Sequence, residues 1–438
     1  MLRSLFVLAV MLPGAYFALR NRFAALLLYI WFGLFRPQDW LWIDVTSLRL
    51  SLLLGVVLVL PSFIGGIWPN LTHPLSVGTF AFLLTGIIAQ FGAIDPDLGL
   101  EWLDFQTRLT LICLMTVTLM TTRRRLVLLV AVIGGSLGFH AAKAGFASAL
   151  GGGVRFYDGL AGAFPDNNGY ALVTVMVMPM LLVTAQNLVE DRWKWVRRGF
   201  YAAVALCGLT VVSTFSRGGF LALALSMLTY IMLQRRRVGA LIGLAVLAGV
   251  AYMVVPVPDG YLDRLQTIHT YEEVDDESAL SRLHFWRVAM VMADNNAFGV
   301  GMRNFEAAYN HYDFSYGKFG LRRSVHSSHF QVLAEHGFPG AFIWVVMFAL
   351  AFLLALRVRR RSRHPDLTSE ERRFYFTMAN ALMVSMVGFI VGGSFVASAL
   401  NDVTWLTFAM VASLDRLAHQ PVAVPVLSPA PQLAGPIS

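Results

Sequence analysis

Between Arg49 and Asp95 the chain runs for 45 residues without one Asp, Glu, Lys or Arg. About 20 apolar residues cross a bilayer core, and a spanning helix satisfies all of its backbone hydrogen bonds internally. A stretch of this kind therefore reads as two membrane-spanning helices. The composition agrees: 57% of residues are hydrophobic and 14% charged, with a mean hydropathy of +0.63, against roughly 45–50% and 25% in soluble domains. A soluble enzyme, a disordered chain and a secreted disulfide scaffold are excluded. Cys113 and Cys207 both fall inside apolar runs, where a free thiol behaves as a small hydrophobe.

Apolar runs at 4–19, 22–35, 50–67, 76–93, 105–122, 126–146, 167–187, 199–215, 218–234, 238–256, 332–356, 374–393 and 396–414 predict an all-α polytopic membrane protein. About 12 (12–13) transmembrane helices are expected, with one long outward loop that itself contains helices. The chain then divides into an N-terminal transmembrane bundle (1–255), the long loop with amphipathic helices (256–329), C-terminal transmembrane helices (330–416) and a Pro-rich tail (417–438) of disordered composition. Within the loop an acidic patch from Glu272 to Glu277 precedes a predicted helix from Glu277 to Asp294, its apolar positions read as Leu280, Leu283, Val288 and Val291.

The net charge of +8 is unevenly placed. Four short connectors (Arg123 to Arg125, Glu190 to Arg198, Arg235 to Arg237, Arg357 to Arg373) hold 17 of the 34 basic residues and only five acids. Successive connectors are two spans apart, so they share one face, which the positive-inside rule makes cytoplasmic. The basic balance is a topology signal and not a nucleic-acid site.

Against that pattern a few polar residues stand out on the outward face. Arg217, in Ser216-Arg217-Gly218-Gly219, sits between two charge-free runs. Such a guanidinium either snorkels or binds an anion with bidentate geometry at a helix start, where glycines let backbone N–H groups approach a phosphate. Arg282 precedes Trp286 by one helical turn, which puts a cation and an aromatic ring on one face. That pair suits a phosphate joined to a sugar or lipid; equally, Trp286 could anchor the helix while Arg282 pairs with nearby acids. His326 and His329 close the loop, and an imidazole there titrates near neutral pH and can act as a general base. Metal ligation by these histidines with Glu335 or His336 lacks a carboxylate or thiolate cluster. Asp95-Pro96-Asp97 reads as a turn and N-cap, and no Gly-Lys-Ser/Thr sequence occurs, which argues against a P-loop ATP-driven pump.

Taken in order, Arg155 before Pro165-Asp-Asn-Asn168, Arg217 in Ser-Arg-Gly-Gly, Arg282 with Trp286 before Phe298-Gly-Val-Gly-Met-Arg-Asn-Phe305, and His326 nine residues before Glu335-His-Gly-Phe-Pro-Gly340 resemble the O-antigen ligase and Wzy polymerase superfamily. Arg36-Pro37-Gln38-Asp39-Trp40 is most similar to its O-glycosylation ligase branch. The resemblance implies an inverting glycosyltransferase, independent of metal and of any cofactor. It would take a glycan from an undecaprenyl diphosphate carrier to an acceptor hydroxyl, most simply on lipid A-core, at the periplasmic face of a bacterial inner membrane. His326 matches the family's catalytic histidine, and Arg217 and Arg282 match its diphosphate-binding arginines; Arg155, Trp286 and His329 are expected to contact substrate. One departure is Ser327, where members often carry Asn. A polysaccharide polymerase and a protein O-oligosaccharyltransferase share these features.

The chemistry fits the residues in its own right. A lipid diphosphate is an activated leaving group, so no ATP is needed; two arginines can neutralise it and one histidine can take the acceptor proton. A transporter of the same anionic lipid would place charges at mid-bilayer. Here they gather at the rim, Asp402 excepted, which favours the enzyme.

Overall fold

The computed structural model describes residues 2–41, 48–151, 158–160, 164–235, 237–239, 241–242 and 277–419. Fourteen named helices account for nearly all of them: α1 (Leu2–Arg20), α2 (Arg22–Phe35), α3 (Leu50–Ile64), α4 (Pro74–Ala89), α5 (Pro96–Leu119), α6 (Arg123–Leu150), α7 (Asn167–Asn187), α8 (Lys194–Ser213), α9 (Arg217–Leu233), α10 (Glu277–Asn295), α11 (Phe305–Tyr312), α12 (Ser328–Arg361), α13 (Ser369–Gly392) and α14 (Asp402–His419). A two-stranded antiparallel hairpin, Asp158–Leu160 with Phe164–Asp166, precedes α7.

Among the described residues seven helices are long and apolar enough to cross a membrane, and α2, α3 and α9 are shorter apolar helices. That is fewer than the 12–13 spans the runs suggested. Part of the difference is charge: α14 carries Asp402, Asp415 and Arg416, and the first half of α5 carries Asp97, Glu101, Asp104 and Arg108. Most of the run 238–256, the acidic patch and the tail from 420 lie outside the described residues.

α7 is the hub. It packs against α6, α8, α9 and α13, and its flanks are almost wholly buried. On the other side α12 bridges α4, α10, α13 and α14 around an aromatic cluster of Phe82, Trp344, Phe348, Phe389, Trp405 and Phe408. At 34 residues α12 would reach about 51 Å as a straight helix, far beyond a bilayer core of about 30 Å. It breaks at Gly337, whose φ of 65° and ψ of −167° are non-helical. The loop after α10 inserts at the break: Phe338 N–H donates to Ala297 O and Val300 N–H to Ala334 O. A Cβ on Gly337 would lie 2.2 Å from Ala297 O, so glycine is required.

The four basic connectors meet at one end of the bundle. Arg123 pairs with Glu371 at 3.4 Å, Asn187 donates to Thr377 and Arg359 donates to Leu233 O. Many of these arginines close helix C-termini, where carbonyls otherwise lack partners. Arg125 and Arg416 reach Leu119 O and Val117 O at the end of α5, and Arg197 reaches Leu188 O and Val189 O after α7.

α10 appears where the sequence placed it, but with another inward face. Phe285, Val288, Ala289 and Met292 are buried, whereas Leu280 and Leu283 are exposed. The buried set has the i, i+3, i+4, i+7 spacing of one helical stripe; it packs with Phe305, Tyr309, Val325 and Ala334 into a small core of its own. His284 and Asp313 join at 2.7 Å beside it. Burial alone would raise the Asp313 carboxyl, but bonds from the Ser315 hydroxyl and the Ser315 and Gly317 N–H groups, with His284, hold it down to about 2.

Candidate active site

The end of the bundle opposite the basic connectors is built from the starts of three helices. Asp166 caps α7 by accepting from Asn168 N–H and Gly169 N–H, both at 2.9 Å. Ser216 caps α9 by accepting from Gly219 N–H at 3.0 Å, and its hydroxyl donates to Asn168 Oδ1 at 2.7 Å. Asn167 Nδ2 donates to Thr214 O at 2.9 Å. The segments Pro165-Asp-Asn-Asn168 and Ser216-Arg-Gly-Gly219, some fifty residues apart in sequence, are thus stapled side by side.

Arg217 is the first residue of α9, half-buried. The glycines after it do not open the backbone to a phosphate, as their sequence context suggested. Gly219 N–H is taken by Ser216, a Cβ on Gly218 would meet the Phe395 ring at 2.8 Å, and one on Gly219 would meet Ala171 at 2.5 Å. Both are glycine because helices pack there.

The third start is that of α12. Ser327 is its N-cap, with Oγ 3.5 Å from Phe330 N. Serine and asparagine are comparably good caps, so the Ser327 departure keeps this local role. Ser328 N–H donates to Gly393 O, its hydroxyl donates to Val396 O, and Ser398 N–H donates to that hydroxyl. The turn between α13 and α14 therefore fixes the segment that presents His326.

His326 has a left-handed φ of 48°, uncommon for a residue with a Cβ and a kind of strain that clusters at functional sites. Its ring sits 6.2 Å from Phe285. The ring is exposed to solvent, yet desolvation by the protein around it and the Arg282 guanidinium draw its pKa below the ordinary imidazole value, with Asp166 and Glu306 pulling upward and Arg323 downward. Two positive and two negative side chains from four segments thus lie near enough for their charges to act on this imidazole. Arg282 and Trp286 project from α10, both half-buried. Trp286 stacks on Phe330, 5.2 Å away at 13°, and its indole N–H is buried with no hydrogen-bond partner among the described residues.

His329 goes elsewhere. Its Nε2–H donates to Ile390 O at 2.9 Å and its Nδ1 accepts from the Trp344 indole at 3.0 Å. Both nitrogens are engaged in a clamp between α12 and α13. His336 stacks on Phe82 and bonds Thr85, so His326, His329 and His336 face three different surroundings. Asp95 caps α5 by accepting from Leu98 N–H, as its sequence context indicated. Arg155 lies outside the described residues.

At Ser324 and Val325, just before His326, lies a small cleft lined in part by Arg303, Glu306, Gln331 and Glu335. Glu335 is buried there; it accepts from Gln331 Nε2 at 3.0 Å and faces Phe305 N–H at 3.5 Å. Glu306 and Arg323 were not singled out from sequence. Arg322-Arg323 did carry a signal, a basic pair on the face otherwise poor in arginine, of the kind that drew attention to Arg217. Nothing in the sequence marks Glu306.

Residues 202–345, from α8 through the Gly337 break, match the family model described as O-antigen ligase. Over that stretch, 144 of the 438 residues, the chain is similar to the O-antigen ligase family. No curated protein was found to match the chain. The matched stretch contains Arg217, Arg282, Trp286, Glu306, Arg323 and His326, so it covers most of the cluster, while Asp166 is supplied from outside it.

Proposed function

We propose that the chain transfers a glycan from undecaprenyl diphosphate to an acceptor hydroxyl at the periplasmic face of a bacterial inner membrane, with lipid A-core as the acceptor. The family match supports an O-antigen ligase or polymerase type of activity. The observation that carries the finer reading is the exposed His326, held at a left-handed φ of 48° at the start of α12, with Arg282, Arg323, Asp166 and Glu306 near enough for their charges to act on it.

A general base must be unprotonated to act. Arg282 serves that end twice: with desolvation it draws the imidazole pKa down, and it offers a bidentate fork to an anion. In the proposed reaction the acceptor O–H gives its proton to His326 while its oxygen attacks the anomeric carbon opposite the diphosphate. The carbon–oxygen bond to the diphosphate breaks, the configuration inverts, and the electron pair leaves on the lipid diphosphate. Arg282 and Arg217 stabilise the charge that develops there. Asp166 or Glu306 stabilises the imidazolium until the proton is released to water.

The test is incubation of the purified chain with a defined undecaprenyl diphosphate-linked glycan and three acceptors in parallel: lipid A-core, a second donor molecule and a hydroxyl-bearing peptide. Product on lipid A-core supports the ligase reading, and product only on donor or peptide replaces it with a polymerase or a protein transferase. No product on any, in folded protein, refutes transferase activity.

A further inference from the structure

The basic end of the bundle holds a second concentration of cations that the glycosyl-transfer reading does not use. Arg235, just after α9, and Arg359, in the last turn of α12, both stand over the ring of Phe376 on α13, at 5.0 and 5.3 Å. Arg359 is anchored, donating to Asn380 Oδ1 and Leu233 O. Arg237 and Arg363 lie close enough for their charges to bear on it. Four guanidinium groups thus share one corner. Three of the carboxylates nearby in sequence are engaged elsewhere: Glu371 with Arg123, Asp366 with His364, Glu190 with Arg192.

Gathered like charges repel, and the cost falls when an anion is seated among them. A second observation points the same way. Arg373 lies three residues before Phe376 and Asn380 four after it, so all three share a face of α13. Arg373 Nε and Asn380 Nδ2 are buried with no hydrogen-bond partner among the described residues, although buried donors are nearly always satisfied. The corner therefore lacks an acceptor as well as a negative charge. A phosphodiester supplies both.

We infer that the corner formed by Arg235, Arg237, Arg359 and Arg363 around Phe376 binds the headgroup phosphate of an anionic phospholipid. A lipid rather than free phosphate is the occupant because the helices that lead to these cations carry exposed apolar side chains, Leu225, Leu228 and Met232 on α9 before Arg235 and Leu353 on α12 before Arg359. Phosphate at the helix ends and acyl chains along these residues use the whole surface. Arginines at a membrane boundary attract anionic lipid at about 1 kcal/mol each, roughly fivefold in affinity.

The experiment is native mass spectrometry of the full chain released from nanodiscs that contain equal phosphatidylglycerol and phosphatidylcholine. Three proteins are compared: wild type; Arg235→Gln/Arg237→Gln/Arg363→Gln, which removes exposed side chains and leaves the Arg359 anchor; and the control Arg192→Gln/Lys194→Gln/Arg198→Gln, which removes as many charges at the same end. Wild type and control should retain phosphatidylglycerol selectively, and the first triple variant should lose on the order of 100-fold in its affinity. Equal retention of the two lipids by wild type overturns the proposal. So does equal loss in both triple variants, which would mean diffuse attraction, and so does displacement of the lipid by millimolar inorganic phosphate, which would identify free phosphate as the ligand.

Discussion

Arginine does different work at the two ends of this molecule. At the basic end Arg125, Arg197, Arg359, Arg372 and Arg416 donate to main-chain carbonyls, several of them at helix C-termini. There a cation adjacent to the negative end of the helix dipole is worth a few tenths to about 1 kcal/mol. At the opposite end Arg282 and Arg323 act on an imidazole, and Arg217 opens a helix, where the dipole offers a cation no help. Abundance of positive charge therefore says little about chemistry in a membrane protein. What marks a catalytic site is a cation placed where neither topology nor a helix terminus accounts for it.

The comparison breaks most readily at His326. His326→Ala should lower transfer by roughly 10²–10⁴-fold and leave donor binding near normal, measured as turnover and as lipid-diphosphate affinity on the same preparation. Loss of donor binding, or normal turnover, removes the base assignment.

Next in size is Arg282→Lys. An ammonium cannot reproduce the planar fork, and losing a charge-assisted bond of about 1.5–3 kcal/mol corresponds to a roughly 10- to 100-fold slower reaction. Arg282→Gln also carries a pH signature. The guanidinium lowers the His326 pKa, so its removal raises that pKa and shifts the acid limb of the rate profile to higher pH. An unmoved limb would separate the two residues.

At the basic end Arg359→Gln should behave in the opposite sense. Its bonds to Asn380 and Leu233 predict a loss of about 1–2 kcal/mol in unfolding stability, allowing for partial exposure, with turnover per folded molecule unchanged. A catalytic defect without a stability defect would erase the distinction between the ends.

Ser327→Ala should cost about 1 kcal/mol through the lost α12 cap, and Ser327→Asn much less; thermal unfolding of both variants reads this directly. Smallest of all, Arg198→Gln, an exposed residue stacked over Trp195 at 4.7 Å, should stay within about 0.5 kcal/mol of wild type.

Much of this was legible in the chain because hydropathy and charge are local signals. The apolar runs located most helices, Asp95 and Glu277 marked helix starts, and the basic connectors foretold which helix ends meet. Three things were not local. The inward face of α10 depends on what packs beneath it: Leu280 and Leu283 look as apolar as Phe285 and Val288, but only the latter meet Tyr309 and Val325. The Ser216–Asn168 staple joins residues 48 apart, and neither asparagine nor serine announces a partner at that distance. His329 has an imidazole as reactive as that of His326, and only Trp344 and Ile390 disqualify it.

The break in α12 has a mechanical consequence. A continuous rod tilts as a whole when the bilayer around it thins or thickens, and it would carry such a tilt to anything fixed at its tip. At Gly337 the rod is interrupted, and the loop after α10 bonds to each side of the break, Val300 N–H to Ala334 O on the upper piece and Ala297 O from Phe338 N–H at the very top of the lower one. The lower piece, residues 338–361, is about 36 Å long and can adjust to membrane thickness while the segment that presents His326 keeps its register with α10.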